Sequence, residues 1–116
     1  MITSNIEIQR RIDYICSHSG YIVLDKNDFE SVCPNPSFCI DKKGETLEET
    51  LDAVKSAVAS SPLPQPSKVV MYAESRILTM SDLEVLKDYC KDLDAFKFGF
   101  NCATPEESKV RIVMIG

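Results

Sequence analysis

The sequence predicts a single small α/β domain, with three helices packed on a mixed sheet of four to five strands. Three observations carry this reading. Serine or threonine stands three residues before glutamate at three separate places, each followed by apolar residues at helical spacing. The run Val69-Val70-Met71-Tyr72-Ala73 is apolar throughout, as a strand covered on both faces is. Helical and strand-like segments alternate along the middle of the chain. An α+β arrangement is the alternative reading of the same order.

The first helix is expected to start at Ser4, because Ser4 and Glu7 can satisfy each other's free backbone N–H groups. Ile8, Ile12 and Ile15 then share a face, and Gly20 is a suitable stop. Tyr21-Ile22-Val23-Leu24 reads as a short buried strand, and Asp25 to Asp28 as a turn. Phe29 to Val32 reads as a second extended piece. Cys33-Pro34-Asn35-Pro36 is loop, since both prolines lack a donor and restrict the residue before them. Ser37 to Asp41 reads as a strand that ends in the turn Lys42-Lys43-Gly44.

The second helix has Thr46 and Glu49 at its start and Leu47, Leu51, Val54 and Val58 on one face. The alternate prolines of Ser60-Ser61-Pro62-Leu63-Pro64-Gln65-Pro66 end it and form a stiff spacer. After the central apolar strand, Ser81 and Glu84 cap a third helix striped by Leu83, Leu86, Cys90 and Leu93. Phe96, Phe98, Phe100 and Cys102 alternate with Lys97, Gly99 and Asn101, the signature of a half-buried strand. Val110 to Gly116 reads as a last strand, pairing with it as a C-terminal hairpin. The order is αβ(β)βαβαββ over residues 1–116. The expected core is Ile12, Ile15, Val23, Leu51, Val54, Val58, Val70, Tyr72, Leu83, Leu86, Cys90, Phe98, Val110 and Ile112.

Thirteen basic against 18 acidic residues give a net charge of −5. This argues against a nucleic-acid binder, which needs a basic surface to displace counterions from phosphates. It argues equally against docking on an anionic membrane. No stretch approaches the roughly 20 apolar residues of a membrane span, and the first ten residues lack the pattern of a signal peptide. With Met1 as the native start, the expected location is the cytoplasm.

The five cysteines, with no export signal, are expected to be reduced. Cys16, Cys90 and Cys102 fall within apolar patterns, whereas Cys33 and Cys39 flank the proline loop as unpaired thiols. The single histidine, His18, follows Cys16 by two residues, a spacing at which helical side chains do not face each other. Its simplest role is at the end of the first helix, where a cation suits the dipole. Cys16, His18, Cys33 and Cys39 lack the tight pairs of a structural zinc site. Only four glycines occur, none spaced as a phosphate-binding loop. Glu48/Glu49, Glu106/Glu107 and Asp92/Asp94 read as solvated surface. No catalytic, cofactor or metal-ligating residue is therefore assigned.

The segment from Lys68 to Phe100 resembles the periplasmic domain of the ExbD and TolR family. That domain runs through an apolar strand (here Val69–Ala73), an acidic residue (Glu74), a helix (Ser81–Leu93) and a second strand (Phe96–Phe100), with Leu47–Val58 as the preceding helix. The resemblance implies an energy-transduction module. The family's membrane helix and intramembrane aspartate have no counterpart in these residues, so no functional residue carries over.

The function expected from these features is non-enzymatic binding of another protein, with a basic one the partner that the charge suits. In size and charge the chain resembles bacterial immunity proteins, which inhibit a toxin stoichiometrically. The alternatives are the energy-transduction module and a small cysteine-dependent enzyme or zinc protein.

Overall fold

The computed structural model describes residues 5–37, 39–61, 65–102 and 109–116. These form four helices and four strands. In chain order they are α1 (Asn5–His18), α2 (Lys26–Val32), β1 (Cys39–Gly44), α3 (Leu47–Ser60), β2 (Lys68–Ser75), α4 (Met80–Cys90), β3 (Ala95–Cys102) and β4 (Val110–Ile115). The strands make one mixed sheet in the order β1-β4-β2-β3. β4 is antiparallel to both β1 and β2, and β3 is parallel to β2. The result is an α+β arrangement, the alternative to the α/β order.

The expected C-terminal hairpin does not form. β4 passes β3 and inserts between β1 and β2, with Arg111 opposite Glu74 on one side and Lys43 on the other. The reason lies in its side chains. Ile112, Val113, Met114 and Ile115 are all fully buried, so both faces of the strand need cover. β3, with an exposed Lys97 every other residue from its phenylalanines, suits an edge.

This strand order fixes where the helices lie. β1 runs parallel to β2, since both are antiparallel to β4, and β3 lies beyond β2. The β1–α3–β2 and β2–α4–β3 connections therefore move across the sheet in the same direction. Right-handed crossovers that move the same way place their helices on the same face. Accordingly α3 and α4 share one core, in which Leu47, Leu51, Val54, Val58 and Leu86 meet Met71, Ala73, Ile112 and Met114. On the other face α1 and α2 cover Val70, Tyr72, Val113 and Ile115 with Ile8, Ile12, Ile15, Phe29 and Val32.

The two short extended pieces expected near the N-terminus are not strands. Phe29 to Val32 belongs to α2, a fourth helix. Asp25 is its N-cap and Asp28 sits at the third position. Asp28 N–H donates to Asp25 Oδ1 (3.1 Å) and Asp25 N–H donates to Asp28 Oδ2 (2.9 Å). Aspartate thus makes the capping box in place of the usual serine and glutamate.

Tyr21 to Leu24 forms a loop that touches the sheet at one bridge, Ile22 to Phe100. The buried Ser19 hydroxyl ties down both backbone groups of Leu24. Leu24 then packs on Gly99, where a Cβ would stand 2.5 Å from Leu24 Cδ1, so the close approach requires glycine. Leu24 is buried in place of Val23, which is 64% exposed.

The remaining differences are local. Ser4, the expected first cap, lies outside the described residues. Lys42-Lys43-Gly44 continues β1 and is not a turn. Thr46 caps α3 as expected, accepting from Glu49 N–H (3.1 Å). α4 is capped by Thr79 with Asp82, not by Ser81 with Glu84. The helix begins earlier than expected, and Leu83 is 40% exposed while Leu86 is buried. Cys90 and Phe98 are only half-buried, Phe98 packing against the α3/α4 core. No helix among the described residues is long and apolar enough to cross a membrane.

Candidate functional site

One polar cluster interrupts the α1/α2 face of the sheet. On that face β4 carries one ionisable residue, Arg111, directly opposite Glu74 of β2. Asp41 of β1, opposite Val113, lies diagonally across from Arg111 on the same face. Arg111 grips Asp41 in a two-pronged bond, Nε to Oδ1 (3.0 Å) and Nη2 to Oδ2 (2.7 Å). Its Nη1 lies 3.7 Å from Glu74 Oε1. The planar guanidinium suits this geometry as an ammonium would not.

α1 closes the cluster from above. Arg11 reaches Asp41 Oδ2 (3.2 Å). The Tyr14 hydroxyl donates to Glu74 Oε2 (2.7 Å), and the Tyr72 hydroxyl donates to the same oxygen (2.7 Å). The Arg111 guanidinium sits over the Tyr14 ring, 4.7 Å from its centre. Burial, and then the bond to Glu74, raise both tyrosines above the usual phenol value. Arg111 is held firmly cationic, chiefly by its bond to Asp41. Each group is therefore committed to a partner. The tyrosines are neutral donors, poor as bases, and both carboxylates are already bonded. The cluster fastens α1 to the sheet.

His18 takes the capping position expected of it. Its Nδ1 lies 2.9 Å from the Tyr14 carbonyl, and its ring stacks on Tyr14 with centres 3.9 Å apart. α1 runs unbroken through Cys16 and His18, so the two do not form a dyad. Cys16, His18, Cys33 and Cys39 are not brought together. Among the described residues no three His, Cys, Asp or Glu side chains are grouped to hold a metal ion.

All five cysteines are free thiols, with Cys16 and Cys90 half-buried. Cys33 and Cys39 are buried, whereas Cys102, expected in the core, is exposed because β3 ends there at the sheet margin. Burial raises the thiols of Cys16 and Cys33 and pushes Cys39 up to about 12, which suppresses the reactive thiolate. Native alkylation followed by mass spectrometry should label Cys102 first and Cys39 at least about tenfold more slowly. Equal rates at the two sites would refute this placement.

Sequence reasoning missed the cluster, although a signal was present. Arg111 is the one charge in Val110–Ile115, and Glu74 follows five consecutive apolar residues. Lone opposite charges on two apolar strands invite a pairing, provided the strands are known to be neighbours.

Beside the cluster, an open groove of about 560 Å³ runs along β1. α1 supplies Glu7, Arg10 and Arg11 to one wall, and α3 supplies Ala57 to the other. Elsewhere, Tyr21, Val23, Ile77 and Met80 are 64–75% exposed. Tyr21 and Val23 lie on the loop after α1 that bridges to Phe100, Ile77 lies on the loop after β2, and Met80 is the first residue of α4.

No family profile and no curated protein matches the chain. Among solved structures, the fold is similar to FtsZ of M. jannaschii, in a structure described as an empty FtsZ dimer. The TM-score is 0.67 at 18% identity, over 95% of this chain and 35% of that one. The chain thus spans about a third of that protein's length, and the likeness concerns the fold alone.

Proposed function

We propose that this chain is a non-enzymatic protein-binding protein that acts as a stoichiometric inhibitor of a basic protein, as a bacterial immunity protein does. The observation that carries the reading is the exposed apolar set Tyr21, Val23, Ile77 and Met80. Aromatic and methionine side chains are the usual anchors of protein interfaces, ringed by polar residues. Asp25 lies two residues after Val23 and Asp82 two after Met80, while Arg76 directly precedes Ile77. A net charge of −5 would steer a basic partner toward the anchors and make association sensitive to salt.

The test is a pull-down from the native host at low and high salt, comparing the wild type with a Tyr21→Ser/Met80→Ser variant. A basic protein should be held at low salt, released at high salt and lost from the variant. No partner at low salt, or capture indifferent to the two substitutions, would sink the reading.

A further inference from the structure

We propose that the outer edge of β3 takes up an extended segment of a partner protein as an antiparallel fifth strand, and that this segment carries an acidic residue between two apolar ones. The surface is a sheet edge, and its occupant needs none of the apolar anchors.

Successive residues of a strand turn their backbone groups to opposite sides. Phe100 turns its own outward, where its N–H donates to Ile22 O (2.9 Å) and its carbonyl accepts from the N–H groups of Tyr21 and Ile22. Phe96 and Phe98 therefore turn theirs outward as well, while Lys97 and Gly99 turn theirs toward β2. Among the described residues nothing pairs with the outward groups of Phe96 and Phe98. The chain's own loop stops one step short of them. Continued antiparallel from Ile22, it would set Leu24 opposite Phe98. Instead the Ser19 hydroxyl holds both backbone groups of Leu24, and Asp25 caps α2. Two rungs stay open in line with Ile22, and an open edge is a template for strand addition.

The side chains along these rungs select the occupant. Phe96 and Phe98 are half-buried against the α3/α4 core, and Phe96 meets Tyr89 edge-on. Lys97 lies on the other face, 53% exposed. Its ion-pair partner Asp28 is 3.9 Å away, too far for a hydrogen bond, so the ammonium has donors to give. In an antiparallel partner the residues opposite Phe96 and Phe98 share their face, and the residue between them stands opposite Lys97 on the other face. That middle pair is not hydrogen-bonded, so its side chains come closest. Two apolar residues would extend the half-buried aromatic surface, and an acid between them would meet Lys97.

A second copy of the chain fits poorly in each register. Self-pairing centred on Lys97 sets Lys97 against its own copy, and like charges directly opposite are unfavourable. Centred on Phe98, it needs the outward groups of Phe100, which Tyr21 and Ile22 hold. Centred on Phe96, it sets Asp94 opposite Phe98, but Asp94 N–H is turned inward to Ser67 O (2.7 Å).

The test uses the whole chain and a labelled peptide, Thr-Val-Glu-Val-Thr, followed by fluorescence anisotropy and by amide hydrogen exchange. In the free chain the Phe96 and Phe98 amides should exchange at least about tenfold faster than that of Gly99. Saturable binding of the peptide should slow both. N-methylation of the two valine nitrogens should abolish binding, because these are the donors to the Phe96 and Phe98 carbonyls. Replacing the peptide's glutamate by lysine should weaken binding at least about threefold. Lys97→Glu, with its fold checked by circular dichroism, should reverse that preference. An Ile77→Ser/Met80→Ser variant should bind the peptide as the wild type does, which separates this edge from the apolar anchors. The proposal is overturned by an absence of saturable binding, by equal binding of the N-methylated peptide, by protection at other amides instead, or by an unchanged preference in Lys97→Glu. A dimer in which Phe96 and Phe98 are already protected without peptide would also overturn it, by assigning the edge to a second copy.

Discussion

Replacing Val113 by lysine should leave no folded protein at 25 °C, whereas Val113→Ala should cost about 2 kcal/mol. Val113 has no exposed surface and lies among Tyr72, Ile115 and the helices α1 and α2. A lysine there would bury an unpaired ammonium, or drive the helices off the sheet to reach water. Urea denaturation followed by far-ultraviolet circular dichroism measures the alanine variant, and solubility with a flat melting trace identifies the lysine one. The same substitution distinguishes two topologies. In a C-terminal hairpin Val113 would face outward beside Arg111, and lysine would be tolerated. A cooperative melt within a few degrees of the wild type would therefore refute the insertion of β4 between β1 and β2.

Arg111→Ala should remove about 3 kcal/mol, and Arg111→Lys more than half of that. Arg111 and Asp41 are largely but not wholly buried, with side chains 16% and 23% exposed, so water offsets part of the loss. Alanine would leave Asp41 with Arg11 alone and Glu74 facing Asp41 without an intervening cation. Lysine would restore the charge but not the two-pronged bond to Asp41. A double-mutant cycle with Asp41→Asn isolates the pair, with an expected coupling of more than about 0.5 kcal/mol. Additive losses would mean that Arg111 acts mainly by covering the Tyr14 ring.

Much of the local structure was legible in the residues. The apolar stripe of α3 and its Thr46 cap stand where the sequence places them, because local spacing alone decides them. The apolar run Val69–Ala73 likewise forms the middle of a central strand, β2. The short elements were not legible. Asp25 and Asp28 can make a turn or a capping box equally well, and only the burial of Phe29 and Val32 beneath α1 selects the helix. The candidate site was harder still. Glu74 and Arg111 are 37 positions apart, and nothing local says that their strands touch.

By itself the sequence determined the periodic elements, the apolar centre and the acidic balance, since each depends on residues a few positions apart. The tertiary structure decided the strand order, the fourth helix and the polar cluster. Strand order follows from which faces need cover once all strands are present, and β4 moves inward because both of its faces are apolar. The Tyr14–Glu74–Arg111–Asp41 cluster then exists only because that move brings β1, β2 and β4 side by side under α1.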